Sequence, residues 1–384
     1  MDYLIEHKQK PKSLLHEKYA FRYFKKLTRK RAPEVDEYHI LNDDEVKTIQ
    51  LIRRNTLFFA GLFGSLGIIS LYLPYYLCPE IFWVFTVNIP GMAQIPIPIM
   101  FTIYGLILAI LEIAALVVLN LRTVHQIAFV CGFPSREDPD YEKHIETLFE
   151  VSLEKPNKQI LIFGIDPLAG LSKFNIILFT TFNLLKASLS NVLIKMVLAR
   201  VFGRYMLRAY IDLIGIPVFA FWNMYAANRV IREAKVRIMA PNMIRHLSYT
   251  LHKKLHEDDH FKSTLYDVLQ FIAVTKRNFH HNHFLLVESL IQVFEFELKK
   301  QAPLSREELI KKAESLNENA KQGLARLLIF GIMIDGKLSY REKIVLEELH
   351  REGLIHIDFK ILKAWEKSFL EGRGMNELLE AKII

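Results

Sequence analysis

Cysteine is almost missing from this chain: Cys78 and Cys131 are the only two in 384 residues. That is too few for a disulfide framework or for a zinc site built on thiolates. The glycine signatures of phosphate and dinucleotide binding, G-x-x-x-x-G-K-[ST] and G-x-G-x-x-G, are also missing, as is the G-x-S-x-G of a serine nucleophile. The stretch from Gly164 to Gly170 is bounded by glycines but holds no lysine, and it reads as a turn. Residues Met1 to Arg54 lack the apolar core of a signal peptide, because charges recur every few positions. The most informative absence concerns one sign of charge. From Thr56 to Leu121 there is no Lys and no Arg, in a chain that carries 50 of them.

What that stretch holds is two apolar runs, Thr56 to Leu77 and Pro98 to Leu121. Each has about 20 residues or a few more, enough to cross a hydrocarbon core. The loop from Cys78 to Pro96 between them has Glu80 as its only charge. Pro74 with Tyr72, Tyr75 and Tyr76 marks the first water interface, where aromatic rings prefer to sit. Basic residues crowd the segment before the first run, and Arg122 follows the second directly. By the positive-inside bias, both termini are expected in the cytoplasm, with the hairpin in the inner membrane. Gly61, Gly64 and Gly67 recur at three-residue steps and predict a smooth face for homo-oligomer packing.

Composition agrees with an anchor attached to charged domains: 51% of residues are hydrophobic, 24% are charged and the mean hydropathy is +0.15. The net charge of +8 calls for an anionic surface. With an anchor present, that surface is expected to be anionic phospholipid, and no nucleic acid is expected. One ionisable residue interrupts the second run, Glu112. A carboxylate in hydrocarbon costs several kcal/mol unless it faces protein or takes up a proton. The reading taken is a helix–helix hydrogen bond within an oligomer; the rival is a proton or ion site.

The flanks divide by character. Residues 1–54 form a basic cytosolic segment in which Lys25, Lys26, Arg29, Lys30 and Arg31 stand with Tyr19, Phe21, Tyr23, Phe24 and Leu27. This pattern suits either a helix on lipid headgroups or a solvated tail. Asn42 before Asp43-Asp44-Glu45 predicts an N-cap, opening a helix that runs through Arg53 and Arg54 into the hairpin of 55–122. Residues 123–160 read as a linker with a short helix from about Tyr141 to Glu150. Residues 161–240 are apolar but seeded with charge. Their charge-free runs, Phe174 to Leu185 and Leu213 to Asn228, fall short of a comfortable span, and Pro217 lies inside the second. A second hairpin here would also export Lys195, Arg200, Arg204 and Arg208. The expectation is therefore amphipathic helices lying in the inner interface, with Arg200, Arg204 and Arg208 on phosphates and Pro241 as the stop. Residues 241–302 and 303–384 read as cytosolic helical regions.

Two histidine groups are candidate metal sites. His256-Glu257-Asp258-Asp259-His260 is a literal H-E-x-x-H, which on one helix would set two imidazoles on one face with Glu257 as base. Its dense charge argues for an exposed turn instead. His280, His281 and His283 lie between two amphipathic segments and read as a polar loop near a helix start.

The best-defined motif runs from Leu328 to Leu346. An apolar helix ends at Asp335-Gly336, and Ser339 with Glu342 forms a capping box for the next helix. Ser305 and Glu308 repeat the box earlier. This helix-DG-x-hydrophobic-S-x-x-E-helix pattern resembles the tellurite-resistance TerB-like domains, over about Pro303 to Gly372. The resemblance implies an all-helical cytosolic module of the kind appended to membrane proteins, and it makes Asp335 and Glu342 candidate metal ligands. Ile334 and Lys337 depart from the richer acidic pattern of such turns.

The sequence thus predicts a mainly α protein: a two-helix transmembrane hairpin with amphipathic and cytosolic helical domains. No catalytic residue and no cofactor is expected. The expected role is a membrane-tethered scaffold or adaptor, linked to envelope stress, that binds an unknown protein partner. The alternatives are a transport or channel subunit using Glu112, and a metal-dependent hydrolase using His256 and His260.

Overall fold

The computed structural model describes residues 15–28, 41–87, 95–97, 99–135, 137–154, 165, 171–172, 174–177, 208–277, 280–296, 303–375, 377–378 and 383. Arg29, Lys30, Arg31, Arg200 and Arg204 lie outside them. The described residues are mainly helical, with one short antiparallel pair of strands, β1 (Phe85–Val87) and β2 (Ile95–Ile97), between the apolar helices.

Helix α1 (Leu15–Thr28) turns Phe21, Tyr23 and Phe24 toward the body of the chain and leaves Tyr19 exposed. Phe24 is fully buried, and the Phe21 ring meets Phe149 edge-on at 5.0 Å. Lys25 pairs with Glu142 at 2.9 Å, and Arg122 donates to the Tyr23 hydroxyl at 2.9 Å. Three of the interleaved aromatics, Phe21, Tyr23 and Phe24, therefore pack on protein. Helix α2 (Asp43–Leu77) starts at the expected cap. Asn42 accepts from the Asp44 and Glu45 amides, and Glu45 accepts from the Asn42 amide at 2.8 Å. Helix α3 (Ile99–Val130) returns beside it, and α4 (Tyr141–Ser152) packs on α3 and α1. Both α2 and α3 are long and apolar enough to cross a membrane.

The largest departure from expectation is α5 (Arg208–Leu255), a single helix of 48 residues. It runs through Pro217 and Pro241, so Pro241 does not stop it. A proline removes one helical hydrogen bond and crowds the preceding turn. Here packing outweighs that loss, because Pro241 itself and most residues from Val230 to Leu251 are buried. The expected boundary at 240 falls inside this helix, whose first half packs on α2 and α3 and whose second half enters the charged body. That body contains α6 (Asp259–Lys276), α7 (His281–Phe294), α8 (Arg306–Glu314), α9 (Glu318–Met333), α10 (Tyr340–Arg351) and α11 (Phe359–Glu371). Its core is continuous with the foot of the apolar pair. Helices α6 and α9 meet closely: a Cβ on Gly331 would stand 2.5 Å from the Ile272 Cδ1.

Candidate functional site

Polar chemistry collects in two places, one inside the apolar bundle and one inside the body. In the bundle, α5 lies antiparallel on α2. A Cβ on Gly61 would meet the Met224 side chain at 3.2 Å, and one on Gly64 would stand 2.6 Å from the Phe219 carbonyl oxygen. Gly215 faces Ile68. The glycine face is thus filled from within the chain, which corrects its assignment to a second copy. Gly67 makes room for the Glu112 carboxylate, whose Oε2 would be 3.0 Å from a Cβ there. The other oxygen, Oε1, accepts from Asn223 Nδ2 at 2.6 Å. The helix–helix bond expected of Glu112 therefore exists, but its partner is α5 of the same chain.

Further down the same face of α3, Asn120 is buried and its Oδ1 has no hydrogen-bond partner among the described residues. One turn later the Thr123 hydroxyl meets Thr56 of α2 at 2.9 Å, both buried. Glu112, Asn223, Asn120, Thr123 and Thr56 form a polar line between three apolar helices. Sequence reading singled out Glu112 and missed its partner. The signal was present: Asn223 is the one strongly polar residue within the charge-free run before Asn228.

The second collection centres on the histidines of α7. His280 is its N-cap and is buried, as are Asn282 and His283, so this is no solvated loop. His280 Nδ1 accepts from the Asn282 amide, which leaves the Nε2 proton to donate to Glu233 at 2.8 Å. By the same logic His283 Nδ1 accepts from the His280 amide, and its Nε2 donates to the Gly331 carbonyl at 2.9 Å. Asn282 spends both amide hydrogens on carbonyls, of Val236 at 3.2 Å and Ile334 at 2.8 Å. Glu233 also takes Arg237 at 2.8 Å. Burial alone would raise the Glu233 pKa, but His280 and Arg237 hold it well below the usual carboxylate range. Burial pushes the His283 imidazole down to about 3, so it is neutral.

Beside this knot the two acidic candidates, Asp335 and Glu342, converge as the motif predicts. Gly336 takes the left-handed conformation at φ +68°, and Ser339 and Glu342 close their capping box. The cation between the carboxylates is the Lys276 ammonium from the end of α6. It lies 2.8 Å from Asp335 and 3.0 Å from Glu342, and it donates to the carbonyls of Ile332 at 2.9 Å and Lys337 at 3.0 Å. The positive charge a metal would bring is already supplied by the chain. Lys276, which carries this arrangement, sits 59 residues before Asp335 with no local motif around it.

The H-E-x-x-H match does not assemble. Helix α5 ends at Leu255, α6 begins at Asp259 with Asp258 as its cap, and His256 and His260 fall on opposite sides of that break. Both are exposed. One further group with ligand spacing, Asp138, Asp140 and His144, has the Arg245 guanidinium 2.6 Å from an Asp138 oxygen. Burial lowers the His144 pKa, against the Asp138 carboxylate 3.5 Å from its ring, which raises it.

No family model, curated protein or solved structure matches this chain.

Proposed function

We propose that the protein is a membrane-anchored helical scaffold. In this reading α2 and α3 form a transmembrane hairpin in the inner membrane, both termini lie in the cytoplasm, and the charged body serves as an adaptor for another protein. The observation that carries it is α5, one helix that lies on the apolar pair along its first half and forms the spine of the body along its second. A rigid connection of this kind fixes the body at a set distance and angle from the bilayer. A second support is that none of the most apolar 18-residue window of α3 is buried within the chain. A soluble core helix of that hydropathy would bury most of it. Within the body, Lys276, Asp335, Glu342, His280, His283 and Glu233 are committed to one another. Their chemistry serves packing and leaves the outer faces for contact. The helices from Ser305 onward are read as a TerB-like module in which Lys276 supplies the cation.

A photo-reactive residue placed at Tyr249 or Tyr340, which are 65% and 81% exposed, tests the adaptor role in native membranes. Discrete protein adducts that persist in Glu112→Gln support it. The second reading, a transport subunit, rests on the Glu112–Asn223 pair and the unpartnered Asn120 oxygen. Proton or ion flux in reconstituted liposomes, lost in Glu112→Gln, with no adduct at either tyrosine, would replace the scaffold by that reading.

A further inference from the structure

The first half of α5 is not among the helices that length and composition alone mark as spans. Its placement nevertheless puts it level with them. Three contacts fix the register. Arg53 Nε of α2 donates to Asn228 Oδ1 at 3.0 Å, Gly64 faces Phe219 and Ala220, and Gly215 faces Ile68. As α2 climbs from Arg53 toward Leu77, α5 therefore descends its own numbering from Asn228 toward Arg208. The Thr56–Thr123 bond sets α3 at the same height.

Charge follows that register. Arg53 and Arg54 on α2, Arg122 on α3 and Arg229 on α5 are all exposed and lie at one end of the bundle. Above this collar α2 has no charge from Thr56 to Leu77 and α5 has none from Leu213 to Asn228, and α3 carries Glu112 alone, turned to Asn223 of α5. The charge-free part of α5 from Leu213 to Asn228 is about 24 Å at 1.5 Å per residue, and the four further residues from Asp212 back to Ala209 bring its length to about 30 Å, the thickness of a hydrocarbon core, with Asp212 and Arg208 at the far end. Helix α5 also has two faces of the kind a span needs. Gly215, Ala220, Asn223 and Met224 turn to α2 and α3, while Val218, Phe221 and Tyr225 form an outward apolar stripe.

We propose that the first half of α5 is a third membrane-spanning helix among the described residues, entering from the far face and leaving through the basic collar, with lipid acyl chains against Val218, Phe221 and Tyr225. The proposal rests on the membrane anchor proposed above and extends it. It also replaces the interfacial placement expected for this segment, and it sets Arg208, at the first turn of α5, on the far face against the charge bias that argued for that placement. The collar stays on the cytoplasmic side because α5 runs antiparallel to α2, and the body is not exported.

The test is labelling of the full chain in sealed membranes with a membrane-impermeant maleimide. Cys131 is buried and silent, so Cys78 reports alone in the native chain. In a Cys78→Ser background, Ala209→Cys and Lys253→Cys report the two ends of α5. The expected result is that Cys78 and Ala209→Cys react from one side and Lys253→Cys from the other. If Ala209→Cys reacts from the side of Lys253→Cys while Cys78 stays opposite, the third span is wrong and the hairpin stands. If Cys78 and Lys253→Cys react from the same side, the anchor itself is wrong and the third span falls with it. A nitroxide on Phe221→Cys decides the occupant. Collision with dissolved oxygen but not with a water-soluble nickel chelate marks lipid, whereas exclusion of both marks a second copy over the stripe and overturns lipid as its cover.

Discussion

Lys276 joins the end of α6 to the turn and helix that follow α9. Its side chain is 2% exposed, and the ammonium holds two carboxylates and two carbonyls from α9, the turn after it and α10. Burial would raise the Asp335 pKa, but Lys276 keeps it below the ordinary value. Removing one partner of such a group leaves the others charged and unpaired, which costs about 3–5 kcal/mol. Lys276→Met is expected to lower the Tm of the purified protein by well over five degrees. A Tm shift comparable to that of an exposed control, Lys253→Met, would contradict the assignment. His283 adds a pH dependence of definite sign. Folded, its pKa is depressed to about 3, whereas an unfolded histidine titrates near about 6.5. The unfolded state therefore binds the extra proton between those values, and stability falls as pH drops from about 6.5 toward 3. Asp335, with its depressed pKa, adds a loss only below the ordinary carboxylate range. Thermal melts at pH 7 and pH 5 should differ, and His283→Gln should flatten that difference.

At the scale of elements, tight helix contacts depend on glycines that have no room for a side chain. Gly64 is the sharpest case on α2, because its neighbour is the backbone of α5, which cannot rotate away. Gly64→Val is expected to cost about 3 kcal/mol through overpacking, read as a lower Tm in detergent and loss of the α5 contact. Gly105→Ala is the control, since its Cβ would make only an ordinary contact with Leu71 at 3.4 Å. The local signals in the sequence were legible for physical reasons. Asn42 with Glu45, Ser305 with Glu308, and Ser339 with Glu342 are caps that satisfy helix-end amides within four residues, and Gly336 ends its helix by a local conformation. Helix α5 was not legible, because Pro217 and Pro241 are local stop signals while the packing that overrides them comes from distant chain. The same distance hides Asn223 from Glu112, Lys276 from Asp335, and His280 from Glu233. Conversely, H-E-x-x-H was a strong local pattern without the continuous helix that would give it meaning.

For the whole molecule, three apolar helices with a basic collar stand on one side of a charged helical body, and α5 belongs to both. A body attached by a flexible linker would sample many heights above a membrane; one continuous with a bundle helix is held at one. Truncation before α6 should therefore leave an apolar bundle without its partner-binding surface, and photo-crosslinks to the body should vanish while membrane residence persists. The central claim is the arrangement itself, an embedded apolar bundle with the body on the collar side, and protease protection in sealed membranes tests it most directly. Trypsin added to inside-out vesicles is expected to degrade the Lys- and Arg-rich body and leave a membrane-embedded core that resists carbonate extraction, whereas trypsin added to right-side-out vesicles should leave the body intact. Degradation of the body in right-side-out vesicles, or release of the whole chain by carbonate, would contradict the account.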